Sequence, residues 1–317
     1  METCHSQEQF NVTSNDAMVV AIMTLQAFAV MWINTFIVTV LCMACIKKKT
    51  LNSNEKILLL LGFSRFWYLF FSWLYSFLSR IYPHSLYVHP TLQLVVSCQG
   101  FFNCFNLWVS ACLCVFYCIK IANFGNSFFI YLKVKIDRIV PWLLFGAVLL
   151  SLVIAIVAYD IADKVHCNNR NSTGRGSFWI TNIKMDKHFF PSFFLTGFEY
   201  AVSFMAVIFA ALLLLFSLWK HKCNMQTNSM KDLSMDAHIK AMKSILSFLV
   251  MYTINFASLI LTMVYTTKKG SPVMFLIVLF QYAFPGVHSL FLIFSNPKLE
   301  KALLRILPCV KFRVCMR

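Results

Sequence analysis

Four polar side chains interrupt one long apolar run at a fixed spacing. Gln99, Asn103, Asn106 and Ser110 fall at i, i+4, i+7 and i+11, which places them on a single face of a helix. Carboxamides and a hydroxyl at that spacing supply neither nucleophile nor general base; they donate and accept hydrogen bonds. A polar group left unpaired in hydrocarbon costs about 2–7 kcal/mol, so this face must turn toward other helices or a watered cavity. Two readings follow: hydrogen-bonded contact between helices, or the lining of a ligand pocket whose outer end is Gln99 and Asn103, with Asn106 below them. Phe102, Tyr200 and Phe256 could supply stacking surface to such a pocket, or simply pack. Glu199 is the only acid inside the predicted spans. An acid there marks a functional site with a partner to be found, unless it reaches the interface.

Arg65 stands in the stretch ILLLLGFSRFWYLFFSWL, residues 57 to 74, eight residues in from the start of its apolar segment. That is about 12 Å of helix at 1.5 Å per residue, too deep for the guanidinium to reach water by snorkelling alone. It needs internal acceptors, and Asn34, His288 and Ser289 are the polar groups at matching depth. An arginine tied to several helices is either a latch between two bundle states or a static clamp.

The motifs of catalysis are absent. The chain has no HExxH, no closely spaced histidine pair, no P-loop and no GxSxG, and of its eight histidines only His288 lies within a predicted span. No enzyme, metal or cofactor is implied.

The elements that must position these residues follow from composition. Of 317 residues 59% are hydrophobic and 13% charged, and mean hydropathy is +0.70, too few charges to cover a water-soluble surface. Seven segments reach the roughly 20 apolar residues that a bilayer requires: 17–46, 57–78, 91–118, 139–159, 192–218, 244–265 and 273–294. The first reads as an uncleaved anchor. The fold class expected is all-α integral membrane, a seven-transmembrane-helix bundle forming a single domain over residues 1–317. Nineteen Lys and Arg fall in 47–56, 119–138, 219–243 and 295–317, against eight on the opposite side. The positive-inside rule then puts the N-terminus outside and the C-terminus in the cytoplasm. The two glycosylation sequons, at Asn11 and Asn171, both fall on the outer side of that arrangement.

Residues 1–16 are expected as an extracellular N-terminus and 160–191 as a long second extracellular loop. The tail 295–317 is expected in the cytoplasm. Its SNPKLEKALLRIL reads as a short amphipathic C-terminal helix, capped by Asn296 and lying on the inner leaflet with Leu299, Ala302, Leu303, Ile306 and Leu307 on one face. The inner belt of cations answers to anionic lipid or to a docking protein; nucleic acid is not implied. Seven of the twelve cysteines lie inside spans, where cysteine serves as a small hydrophobe. Cys98 and Cys167 could form a bridge, and Cys309 and Cys315 are either palmitoylation sites or free thiols.

Several pieces carry a family resemblance, in order along the chain. They are Asn34-Thr35-Phe36-Ile37, Leu61-Gly62-Phe63-Ser64-Arg65, LWVSACLCVFYCIKIANF (107 to 124), LLLLFSLWKHKCNMQ (212 to 226), DLSMDAHIKAMKS (232 to 244) and HSLFLIFSNPKLEKALLRIL (288 to 307). The pattern resembles the type 2 taste receptors, the bitter receptors, which are seven-helix G-protein-coupled receptors. Vomeronasal type 1 pheromone receptors are the nearest confusable family, and the KIANF and AHIKA pieces favour taste. A transporter would need a polar path through the midplane, with repeats between halves; no repeat is visible, and the inner half of the third span, CLCVFYCIKI, offers Tyr117 but no ion-binding acid.

The resemblance implies a plasma-membrane receptor that takes small bitter compounds in a pocket open to the outside. It implies activation of a gustducin-type heterotrimeric G protein, with phospholipase C and calcium signalling downstream; a homo- or hetero-oligomer is left open. Asn103 matches the family's pocket asparagine on the third span. Phe116, Tyr117 and Lys120 match its inner motif near the G protein, where His221, His238 and Lys240 would complete a docking cleft. Arg65 and Asn34 match the arginine and its partner, and with Tyr252, His288 and Ser289 they form the expected activation network. The chain departs from the pattern at Gln99, often tryptophan in the family, at Asn255, which aligns with a tyrosine, and at Val278, where some relatives have an acid.

Overall fold

The structure, a computed structural model, describes residues 14–48, 50–122, 127–171, 189–227, 249–250, 252–262 and 272–306. These form helices α1 (Ser14–Lys48), α2 (Ser53–Ile81), α3 (Pro83–Leu86), α4 (Thr91–Ile121), α5 (Ser127–Asn171), α6 (Phe189–Thr227), α7 (Tyr252–Thr262), α8 (Pro272–Ser295) and α9 (Pro297–Ile306). Among the described residues there is no strand. Six of the helices are long and apolar enough to cross a bilayer, and α7 is a shorter apolar helix inside the expected sixth span. Chain direction alternates, so the upper end of the bundle holds the first turns of α1, α4 and α6, and the lower end holds α9.

In hydrocarbon the apolar character of a helix does not say which way it faces. Trp32 is 79% exposed and Trp142 73% exposed, a surface suited to lipid and not to water. The centre belongs to α4: 72% of its apolar window is buried within the bundle, against 22% for α5. It packs on α2, α5 and α6, while α1 packs on α2 and α8. The lower core joins Leu58 and Leu61 of α2, Val109, Leu113 and Phe116 of α4, Ile136 and Val140 of α5 and Ile293 of α8.

Two glycines set the closest crossings. A Cβ at Gly62 would lie 3.2 Å from Val38 Cγ2, and one at Gly286 would lie 2.7 Å from Val30 Cγ2, so α8 meets α1 at a spacing only glycine permits. Pro285, just before it, lacks the N–H that would bond the carbonyl one turn back.

The segment 160–191 is partly helix. α5 continues to Asn171 and α6 begins at Phe189, and the Lys164 ammonium donates to Asp160 Oδ2 at 2.6 Å, an i,i+4 pair that supports the added turns. Residues 14–16 likewise belong to α1. α9 begins as its sequence predicts, with the Lys298 N–H donating to Asn296 Oδ1 at 3.0 Å. Its apolar face does more than rest on lipid. Leu299 is fully buried in the lower core and Leu303 packs against it, while Lys298 pairs with Glu55 at the start of α2. Glu55 Oε2 also accepts the Asn52 N–H at 3.2 Å, capping that helix. Cys98 carries a free thiol. The side chain of Cys167, and Cys309 and Cys315, lie outside the described residues.

Candidate functional site: a buried arginine hub below a polar crevice

Two polar layers sit on the α4 face, and the first is built around Arg65. Its side chain is fully buried. Nε donates to Asn106 Oδ1 at 3.1 Å, Nη1 donates to Ser289 Oγ at 2.9 Å, and Nη2 lies 2.5 Å from His288 Nδ1. Because the guanidinium can only donate, His288 accepts at Nδ1 and carries its proton on Nε2. Ser289 Oγ donates onward to Asn34 Oδ1 at 2.8 Å, and Asn34 Nδ2 donates to the Val30 carbonyl at 2.8 Å. One side chain thus joins α1, α2, α4 and α8. Every partner named is neutral, so the cation is solvated by dipoles and not cancelled by a carboxylate.

The second layer lies above it. Tyr200 of α6 accepts a hydrogen bond from Asn103 Nδ2. Leu107, Tyr200, Ser203, Tyr252, Asn255, Phe256 and Leu259 surround a narrow crevice of about 160 Å³ between α4, α6 and α7. The Tyr252 hydroxyl reaches Ser203, and Ser203 Oγ donates to the Tyr200 carbonyl at 3.0 Å. Phe204 stacks on Phe256 at 4.0 Å and 9° and on Tyr252 at 6.1 Å and 7°. Tyr252 then meets Phe284 at 6.2 Å, and Phe284 meets His288 at 5.9 Å. Packed rings therefore run from the crevice to the hub. Drug-sized ligand sites usually span about 300–1,000 Å³, so as it stands the crevice has no room for such a ligand.

A full-length comparison decides what kind of protein carries these layers. A profile of the taste receptor protein family (TAS2R) matches residues 12–311. The chain belongs to that family. It is 30% identical over 298 residues to human taste receptor type 2 member 2, covering 92% of this chain and 96% of the relative. It is 31% identical to mouse member 123, with 87% and 88% covered, and 32% identical to chicken member 40, with 88% and 92% covered. As a member of the taste receptor type 2 family, the protein is a multi-pass membrane receptor and not an enzyme.

Within the taste receptor bundle the expected site residues separate into groups. Asn103, Tyr200, Asn255, Phe256 and Tyr252 meet at or beside the crevice. Asn106 is one turn lower and holds Arg65. Gln99 Nε2 donates to Ser72 Oγ on α2 at 3.2 Å. Phe102 also turns to α2, where it packs against Trp67 at 6.0 Å and Phe71 at 5.9 Å. Val278 packs in the group formed by Met23, Val30 and Leu69 of α1 and α2. Glu199 meets the Cys104 thiol, which also contacts Ser151 of α5. Its Oε1 is buried without a hydrogen-bond partner, and the carboxyl does not line the crevice.

At the lower end Phe116 is buried in the core and Lys120 donates to Asp137 Oδ2 at 2.7 Å. Asn11, His238, Lys240 and the side chains of Asn171 and His221 lie outside the described residues. The sequence analysis missed Leu107, Ser203 and Leu259. Each is one turn from a residue that it did select (Asn103, Tyr200 and Asn255), so the same i, i+3/i+4 periodicity could have found them.

Proposed function

We propose that this taste receptor is a G-protein-coupled bitter receptor of the plasma membrane, with its N-terminus outside and its C-terminus in the cytoplasm. Small bitter compounds bind in the crevice between α4, α6 and α7. The observation that carries this reading is the pairing of a largely apolar crevice, to which Tyr200, Tyr252 and Asn255 bring polar groups, with a fully buried arginine hub joined to it by packed rings.

A ligand that enters must part the crevice walls, and Tyr252 is one of them. Moving Tyr252 displaces Phe284, hence His288, hence one of the three acceptors of Arg65. The hub then has two arrangements available, and the ligand favours one by its difference in affinity for the two and no more. At the lower end, Tyr117 and Lys120, together with His221, His238 and Lys240, would contact a gustducin-type heterotrimeric G protein and so reach phospholipase C and calcium release. Phe116 would act from within the core by positioning its neighbours.

The test is calcium release in cells expressing the chain, with and without a gustducin-type α subunit, over a chemically broad panel of bitter compounds. A saturable response that needs both proteins is expected. Silence with confirmed surface expression would remove the reading.

A further inference from the structure

We infer that the crevice selects uncharged compounds carrying a carbonyl-type hydrogen-bond acceptor and discriminates against protonated amines. The inference rests on the receptor reading above and names the ligand class of that same site.

The lining is the first observation. Among the described residues its polar groups are hydroxyls and one carboxamide, with no acid and no base. An ammonium group entering such a wall loses its hydration and gains no counter-charge, which costs far more than desolvating a neutral amide or ester. The two places that could have supplied a carboxylate do not. Glu199 adjoins Tyr200 in sequence but meets the Cys104 thiol of α4 and does not line the crevice. Val278 is apolar and belongs to the packing of α1 and α2.

The charge beneath the crevice is the second observation. Tyr252 forms part of the wall and lies within the electrostatic reach of Arg65. Because Asn106, Ser289 and His288 are all neutral partners, the field of that cation is not cancelled locally, and it opposes a second cation above it.

The third observation fixes the polarity of the contact. Tyr200 already accepts the Asn103 N–H at its phenolic oxygen, so its own O–H proton remains to be given and suits an acceptor on a ligand. Ser203 is engaged with the Tyr200 carbonyl and with Tyr252, which leaves Asn255 as the second polar group able to meet a ligand. The stacked Phe204 and Phe256 rings offer a flat apolar wall beside them.

The experiment uses the calcium assay with aromatic primary amines and their N-acetyl derivatives at neutral pH, from benzylamine and N-benzylacetamide upward in size. The acetyl members are expected to act at concentrations at least roughly tenfold lower than the amines. Amines of equal or greater potency would overturn the inference. So would failure of both classes on a receptor that answers other bitter compounds, since that leaves the receptor reading standing and the ligand class wrong. Two variants sharpen the outcome. Asn255→Asp puts a carboxylate into the crevice and should shift the preference toward the amines, whereas an unchanged preference would count against the site. Glu199→Gln should leave the ratio of amide to amine potency where it was; a change in that ratio would assign the charge selection to Glu199 and overturn the proposal.

Discussion

Arg65 Nη1 donates to Ser289 Oγ at 2.9 Å, and the same hydroxyl passes its own proton to Asn34 Oδ1 at 2.8 Å. Ser289 therefore both receives from the buried cation and links it to α1. Replacing it with alanine removes both bonds at once and leaves part of a buried guanidinium unsolvated. Ser289→Ala should cost about 1.5–3 kcal/mol, read as a lower melting temperature of the detergent-solubilised receptor, with altered basal signalling. Arg65→Lys should fare worse still, because an ammonium on a flexible stem cannot reproduce the planar fork that bonds α4 and α8 at once. Wild-type stability and signalling in both variants would show that the hub is dispensable.

Asn103 and Tyr200 form one hydrogen-bonded unit, so their effects on agonist potency should not add. Asn103→Ala and Tyr200→Phe are each expected to weaken potency about tenfold, and the double variant little more than either single one. Additive losses in a double-mutant cycle with surface expression held constant would mean that the two contact a ligand independently.

Phe102 packs against both Trp67 and Phe71, which also touch each other, away from the crevice. Phe102 is half-buried, so Phe102→Ala should act on stability by less than the roughly 3–5 kcal/mol of a fully buried phenylalanine, and so lower surface expression. The potency of an agonist on the receptors that do reach the surface should be nearly unchanged. A large potency shift at normal expression would return Phe102 to the ligand site.

Gly286 sits against Val30 so closely that an added methyl would fall 2.7 Å from Val30 Cγ2. Gly286→Ala should destabilise the bundle by about 1–3 kcal/mol through overpacking. Val30→Ala in the same chain should restore much of the loss by returning the space. If the double variant is no more stable in a thermal-shift measurement than Gly286→Ala, the contact is not the cause.

Lys120 and Asp137 pair at 2.7 Å with side chains 46% and 54% exposed, and a pair so open to solvent contributes at most about 1 kcal/mol. Lys120→Ala should leave thermal stability nearly unaltered. Reduced coupling to the G protein in that variant, with normal agonist binding, is the outcome expected of a docking residue. Normal coupling would leave Lys120 with its ion pair and its place over the Phe116 ring.

Much of this architecture was legible in the chain itself. Seven apolar segments, the amphipathic α9 with its Asn296 cap, and the need of Arg65 for His288 and Ser289 follow from local composition and depth, whereas Asn34 is reached only through Ser289 and Asn106 was not among the acceptors expected. Helix ends were less legible. α5 runs to Asn171 because a helix can continue past the hydrocarbon on i,i+4 pairs such as Asp160 and Lys164, and hydropathy sees only where the apolar run stops.

The sequence by itself determined that Gln99, Asn103 and Asn106 share one helical face, since a period of 3.6 residues is a property of the backbone. Only the tertiary structure decided what each one meets: Ser72 for Gln99, Tyr200 for Asn103 and Arg65 for Asn106. It also turned Glu199 to Cys104 and Phe102 to Trp67. The reason is physical. A helix in a bilayer is apolar toward lipid and toward its neighbours alike, so its rotation is set by close packing, of which Gly286 against Val30 is one contact, and not by any contrast that hydropathy records.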